Sequence, residues 1–248
     1  MAAKTFEQVL DEVRGKPILV ANRGIPARRI CRAIRERFAA VPVMTATDID
    51  KAAPAASAAQ ELLLLGPDPR AYLDLDLIIA KAKQRGIIAI HPGWGFASED
   101  ERFPQKCEEA GITFIGPSGD VIRAMGNKAA ARKLMQSAGV PVVPGSDGAV
   151  DTAEQARALA DSIGYPVLIK ASAGGGGRGM RRVYEPEQLI PLFEEARSES
   201  LACFGSGEMY LEKLIVNPRH IEFQIMADGQ GHVIQLGDRD CSIQRRNQ

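Results

Sequence analysis

Over its first half the chain alternates short apolar, β-prone runs with helical patterns, and few architectures accept such an alternation. PILVA at 17–21 precedes a helical stretch from about Pro26 to Phe38, and VPVMTAT at 41–47 follows it. A helix through YLDLDLIIAKAKQR, a buried-looking strand IIAIH at 87–91, a helix near Phe103 to Ala110 and a strand opening at Thr113 continue the series. Strand and helix alternating in this way imply a parallel sheet covered on both faces. Gly24, Gly95 and Gly116 fall just after strand ends, where open α/β sheets place their ligands.

The pattern then changes. A helix is expected from about Met125 to Ala138, with Asn127 and Lys128 at its entry, and PVVPGSDG at 141–148 supplies turn residues that mark a boundary. Beyond it come a helix through Thr152 to Ile163, two strand-like segments around a glycine run, a helix at Glu187 to Ser198 and a strand EMYLEKLIV. This second unit reads as small and α+β. Two further strands, RHIEFQIMAD and HVIQLG, meet at Gly229-Gln230-Gly231. No internal repeat is present, and the one low-complexity tract is the alanine-rich AAPAASAA at 52–59.

The glycine run carries the chemistry. In VLIKASAGGGGRGMRRV, Val167 to Lys170 is β-prone and ends in a cation, Met180 to Val183 reads as the returning strand, and Gly174, Gly175, Gly176, Gly177 and Gly179 form the hairpin tip. Lacking Cβ atoms, such a tip can lay backbone N–H groups against polyanionic oxygens, and Lys170 and Arg178 add positive charge. A Walker loop or a dinucleotide fingerprint would open a helix, and neither follows here. Protein kinases cover ATP phosphates with strand, glycine loop and strand, but no HRD or DFG segment completes a kinase. A flexible linker would carry serine and lack the flanking cations.

Composition removes other classes. Lys plus Arg equals Asp plus Glu at 31 each, so no net positive field draws nucleic acid or an anionic membrane. No apolar run approaches a membrane span, and MAAKTFEQVLDEVRGK lacks the basic start and apolar centre of a secretory signal, which predicts a cytoplasmic protein. Cys31, Cys107, Cys203 and Cys241 form no CxxC pair and are expected as reduced packing residues. Three histidines, His91, His220 and His232, argue against a multi-histidine metal centre.

Taken in order, ILVANRG, IAIHPGWGFASE, FIGPSGDVIRAMGNK, GVPVVPGSDG, YPVLIKASAGGGGRGM, YLEKLIVNPRHIEFQIMADGQG and DRDCSIQRR resemble biotin carboxylase, a branch of the ATP-grasp ligases, over nearly the whole chain. The resemblance implies an α/β fold: a Rossmann-like parallel-sheet domain at 1–126, a small α+β ATP-grasp lid with the glycine loop at 127–216, and the start of a C-terminal lobe at 217–248. It also implies that ATP phosphorylates bicarbonate to carboxyphosphate, whose carbon dioxide passes to biotin on a carrier protein or domain. Stabilising the transferring phosphoryl group calls for cations and oriented N–H groups.

By resemblance, Lys128 and Lys170 are the phosphate-contacting lysines, Gly174 to Met180 form the lid loop, Glu212, Lys213, Leu214 and Ile215 are the adenine and ribose hinge, and His220 is a further nucleotide contact. Asn247 occupies a nucleotide-side position where relatives commonly have histidine, so a charge is replaced by a neutral amide. Trp94 and Gly95 match a loop near the biotin pocket, with Trp94 where the family more often has tyrosine, and Gln244 sits in the QRR motif beside that pocket. The family's NRGEIA is NRGIPA here, losing an acid at Ile25 and gaining Pro26 at a helix start.

The resemblance further implies magnesium, a carboxyltransferase component as partner and a homodimer, with Arg32 on the helix resembling the dimer surface. The family's magnesium and bicarbonate residues match positions beyond Gln248, so no catalytic or metal-binding residue is assignable, and a part of an enzyme, inactive alone, is expected. Two alternatives stay open: another ATP-grasp ligase of the carbamoyl-phosphate synthase kind, and a non-catalytic nucleotide-binding module.

Overall fold

The computed structural model describes residues 4–126, 128–172, 179–228 and 230–244, without the side chains of residues 128 and 129. The chain divides into two compact units, Met1–Ala131 and Arg132–Gln248.

In the first unit, strands β1 (Pro17–Val20), β2 (Val41–Thr47), β3 (Glu61–Gly66), β4 (Ala89–His91) and β5 (Thr113–Phe114) form one sheet in the order β3-β2-β1-β4-β5. Every pairing is parallel. Alternation along β1 then dictates two cores. Ile18 and Val20 pack with Met44 and with Ala27, Cys31 and Ile34 of helix α2 (Gly24–Phe38). Leu19 points the other way, packing with Val43, with Leu75, Ile78 and Ala82 of α3 (Leu75–Arg85), and with Phe103 and Cys107 of α4 (Arg102–Glu109). A strand buried on both faces must read as a continuous apolar run, and PILV does. A short leading helix, α1 (Phe6–Val13), starts at a capping box between Thr5 and Gln8.

Two elements depart from the sequence reading. Strand β3, ELLLLG, was not anticipated, because a short apolar run without alternation does not distinguish strand from helix. The helix expected from Met125 is instead two helices, α5 (Gly119–Gly126) and α6 (Lys128–Ser137), and Met125 belongs to the first.

The second unit holds an antiparallel three-stranded sheet, order β7-β6-β8, made of β6 (Val167–Ala171), β7 (Met180–Val183) and β8 (Met209–Lys213). One face is covered by α7 (Ala153–Ile163) and α8 (Leu189–Phe204). Val167, Ile169, Met209 and Leu211 interleave there with Ala156, Ala160, Leu189 and Phe193. Thr152 caps α7 by accepting from Gln155 N–H, satisfying a donor that the first helical turn leaves free. Helix α8 starts after a 3-10 turn at Pro186–Gln188 and runs to Phe204, past the expected Ser198, until Gly205 adopts φ +69.

A separate ribbon, β9 (Ile221–Ala227) and β10 (Val233–Asp240), closes the described chain. Its second strand extends beyond the expected HVIQLG because an irregularity between Gln235 and Asp238 lets the pairing continue past Gly237. The turn residue Gly229 lies outside the described residues. Cys31 and Cys107 are buried as expected, but Cys203 is exposed and Cys241 half-exposed. Burial raises the Cys31 thiol to about 11 and the Cys107 thiol to about 12, so neither is a nucleophile at neutral pH.

Candidate functional site

The three-stranded sheet has a second face that α7 and α8 do not cover, and the register sets what it carries. Lys170 lies opposite Met180 on β7 and Tyr210 on β8, while Leu168 lies opposite Arg182 and Glu212. Side chains alternate across a strand, so these six share one face. Lys170 and Glu212 form an ion pair there, with about a third of each side chain exposed (35% and 27%). The cation is therefore held in place by a carboxylate that is not itself sealed away.

Gly179, where the glycine loop re-enters β7, has φ +68, and a Cβ there would lie 2.7 Å from the Ala171 Cβ. Its N–H donates to Glu199 (3.2 Å), which also accepts from Arg181 (2.9 Å). The expectations for Gly174, Gly175, Gly176, Gly177 and Arg178, for Asn247 and for the Lys128 side chain lie outside the described residues.

The hinge residues are only partly free to meet a ligand. Lys213 N–H donates to the Pro144 carbonyl (2.7 Å) and Leu214 N–H to the Pro166 carbonyl (3.0 Å). The Lys213 ammonium donates to the Gly164 and Tyr165 carbonyls (2.9 and 2.8 Å), bracing the turn ahead of β6. Ile215 is exposed. Sequence reasoning took PVVPGSDG as a boundary, but it runs against β8. A Cβ on Gly145 would come 2.6 Å from the Leu211 carbonyl, and Ser146 N–H donates to that oxygen at 2.7 Å. Gly145, lacking a Cβ directly after Pro144, was the signal for this close approach.

Farther along the same unit, His220 and Gln244 meet, with Gln244 Nε2 2.7 Å from His220 Nδ1. The sequence reading had put these two residues in different pockets. Asp240 accepts from Ser242 N–H and Arg219, a structural role. Among the described residues, no group of three or more His, Cys, Asp or Glu side chains could hold a metal ion.

The first unit presents a second cluster at the carboxyl ends of its strands. Chain order reverses between β1 and β4, and such a switch point opens a crevice between their following loops. Trp94 stands exposed there (72%), so core burial is not its role. Gly95 and Phe96 follow with φ +66 and +52, and the Phe96 ring packs on Tyr72, centroids 5.4 Å apart. Below the loop, Asp50 accepts from Arg23 (3.0 Å), Tyr72 Oη (2.9 Å) and Thr47 Oγ1 (3.1 Å), and Tyr72 Oη accepts from Thr47 N–H (3.2 Å). Burial alone would raise the Asp50 carboxyl, but these donors and the Arg23 charge outweigh it and hold it below the ordinary carboxylate range. His91 is lowered by burial. Sequence reasoning named none of this network, since Asp50 stands singly in a turn after β2 and Tyr72 lies 22 positions on, in the 3-10 helix Pro69–Leu73.

Known proteins place these features in one family. The model described as biotin carboxylase, N-terminal domain, matches residues 14–122, and that described as carbamoyl-phosphate synthase L chain, ATP binding domain, matches residues 127–248. Biotin carboxylase of Nostoc sp. is 51% identical over 93% of this chain and 52% of its own length, and biotin carboxylase of Pseudomonas aeruginosa is 48% identical over 93% and 52%. Among solved structures, the biotin carboxylase domain dimer of Hydrogenobacter thermophilus 2-oxoglutarate carboxylase, in complex with MgADP, ADP and bicarbonate, aligns with TM-score 0.83 at 50% identity, covering 94% of this chain and 51% of that one. The biotin carboxylase–β,γ-ATP complex from Campylobacter jejuni aligns with TM-score 0.85 at 45% identity, covering 96% and 54%. The chain spans about half the length of the curated relatives it matches. With both halves of the chain matched in order and close to half of all aligned residues identical, the chain belongs to the biotin carboxylase family and corresponds to its N-terminal part.

Proposed function

We propose that this chain supplies the nucleotide-binding part of an enzyme that carboxylates biotin with bicarbonate at the expense of ATP. The observation that carries the reading is Lys170, fixed by Glu212 on the open face of the sheet, at the strand end from which the glycine run departs. Phosphate oxygens would compete with the Glu212 carboxylate for this ammonium, as a phosphate clamp requires. Glycine loop and lysine together would hold the triphosphate tail. The terminal phosphoryl group would pass to a bicarbonate oxygen, leaving ADP, and the resulting carboxyphosphate would release carbon dioxide and phosphate beside the biotin ureido nitrogen. Trp94, Gly95 and Gln244 would contact biotin, and His220 the nucleotide. Among the described residues no cluster of three or more His, Cys, Asp or Glu side chains is available to hold magnesium by protein ligands alone, and no step is assigned to it.

By the same reading the unit boundaries are 1–126, 127–216 and 217–248, the partners are a biotin carrier protein or domain, a carboxyltransferase component and a second copy of the chain, and the location is cytoplasmic. Among the described residues no helix is long and apolar enough to cross a membrane. The name of the second family model favours a carbamoyl-phosphate synthase-like alternative, which would not respond to biotin.

To test this, the chain is mixed with a polypeptide carrying the second half of the family's length, and ADP formation is followed with bicarbonate, with and without biotin. Biotin-stimulated turnover is expected. Replacing Lys170 with Met removes a charge-assisted bond of about 1.5–3 kcal/mol, so nucleotide affinity should fall roughly 10- to 100-fold. Unchanged affinity in Lys170→Met means the phosphate role is wrong. ATP binding without turnover in the completed mixture favours a non-catalytic module.

A further inference from the structure

The loop that carries Trp94 is held from below by one buried side chain. Asn22, at the end of β1, is 1% exposed. Its Nδ2 donates across the switch-point crevice to the Pro92 carbonyl (2.7 Å) and the Trp94 carbonyl (3.0 Å), and its Oδ1 accepts from Arg23 N–H (2.9 Å). The two carbonyls accept and the N–H donates, so the amide has one workable orientation. On the β1 side, the Asn22 carbonyl accepts from Thr45 Oγ1 (3.2 Å), and Ala21 N–H donates to the His91 carbonyl (2.9 Å). On the loop side, Gly93 N–H donates to His91 Nδ1 at 3.0 Å.

The peptide between the two carbonyls has no room to spare. Gly93 has φ +70, and a Cβ there would lie 2.5 Å from Asn22 Nδ2 and 2.7 Å from its Cγ. Real Cβ atoms do not approach so closely, so the amide and the bare glycine require each other. Three consecutive loop residues, 92–94, are thus tied through their backbone to Asn22 after β1 and His91 of β4.

We propose that Asn22 is a positioning residue for the Trp94 loop: by bridging the crevice between the β1 and β4 loops against Gly93, it sets where the indole stands. Without the bridge, a loop with left-handed residues at 93, 95 and 96 is left to the Gly93–His91 bond and the Phe96–Tyr72 contact, neither of which holds the Trp94 carbonyl. The inference rests on the biotin reading of Trp94 only for the ligand the loop would serve. The placement of the loop is measured without ligand.

Trp94 is the one tryptophan in the sequence, so its indole N–H gives a single NMR signal and its emission reports this loop alone. The test uses the 248-residue chain with Asn22→Ala, Gly93→Ala, the double variant and the near-isosteric Asn22→Asp, which sets a carboxylate oxygen against two carbonyls. Asn22→Ala is expected to shift or broaden the indole signal and increase acrylamide quenching, while the amides of Leu19 and Ile90 keep their protection from exchange. In urea unfolding followed by Trp94, Gly93→Ala should cost less in the Asn22→Ala background than in the parent, a coupling of about tenfold in the equilibrium constant, within the range of contacting residues.

An unchanged indole signal in Asn22→Ala overturns the proposal, and additive costs overturn its steric half. In the parent chain the Asn22 side-chain N–H protons should exchange slowly. Rapid exchange overturns the bridge without recourse to any variant that fails to fold. Free biotin added to the parent chain is a separate arm: if it leaves Trp94 unperturbed the biotin reading fails, and the positioning result stands.

Discussion

Replacing Tyr72 with Phe removes one oxygen and keeps the ring that packs on Phe96. The lost hydroxyl does two jobs at once: it accepts from the buried Thr47 N–H (3.2 Å) and donates to Asp50 (2.9 Å). Thr47 is fully buried and Tyr72 is 2% exposed, so water does not readily replace the missing oxygen. An orphaned buried amide costs about 1–3 kcal/mol, and a hydrogen bond to a charged acceptor contributes about 1.5–3 kcal/mol. Asp50 retains Arg23 and Thr47 Oγ1 as donors, so the lower end of each range applies and a total of about 2.5–3 kcal/mol is expected. Urea unfolding of the chain, followed by Trp94 emission, reads this in the first unit.

A pH series sharpens the test. Asp50 lies below its ordinary value of 3.8 in the folded chain, so it binds fewer protons folded than unfolded, and its contribution is present above about pH 4 and lost as pH falls through the folded value. Without the Tyr72 donor that acid limb should move up toward 3.8. At the alkaline end, burial and then Asp50 raise Tyr72 from 10.0 to about 12, so the parent loses stability between those values and Tyr72→Phe does not. A cost below about 0.5 kcal/mol with both limbs unmoved would refute the network as a source of stability.

Phe193→Ala should destabilise the second unit by about 3–5 kcal/mol, because Phe193 is 1% exposed and fills the space between α8 and the sheet; amide exchange at Val167 and Ile169 would report it, and a loss under 1 kcal/mol would show that the helix repacks. His91, lowered from 6.5 by burial, excludes a proton in the folded chain, so the first unit should lose stability as pH falls below that value; His91→Asn should flatten this part of the profile, and a retained slope would assign it to another group.

The elements most legible in the sequence were those whose pattern is local. PILV and VPVMTAT read as buried parallel strands because every residue is apolar or β-prone, and Val167 to Lys170 with Met180 to Val183 read as a hairpin because the glycines separate them. Strand β3 was missed because ELLLLG lacks a period, and the division between α5 and α6 was missed because Gly126 and Asn127 interrupt a pattern that is helical on both sides. Lys170 was singled out from the cation-glycine sequence. Its partner Glu212 was legible only through family resemblance, since 42 positions of chain separate them and only the β6–β8 register brings them together.

By itself the sequence determined the alternation that demands a two-faced parallel sheet, the glycine loop between antiparallel strands, and the family. The first two follow from side-chain type at short spacing, where backbone preference and burial act within a few residues, and the family from the ordered resemblance of its motifs. Tertiary structure alone decided that Asn22 reaches Pro92 and Trp94, that Asp50 gathers Arg23, Thr47 and Tyr72, and that Gln244 meets His220. Those contacts bring together residues 22 to 72 positions apart, aside from the local Thr47–Asp50 bond, and strand order and register, which no local pattern encodes, choose which become neighbours.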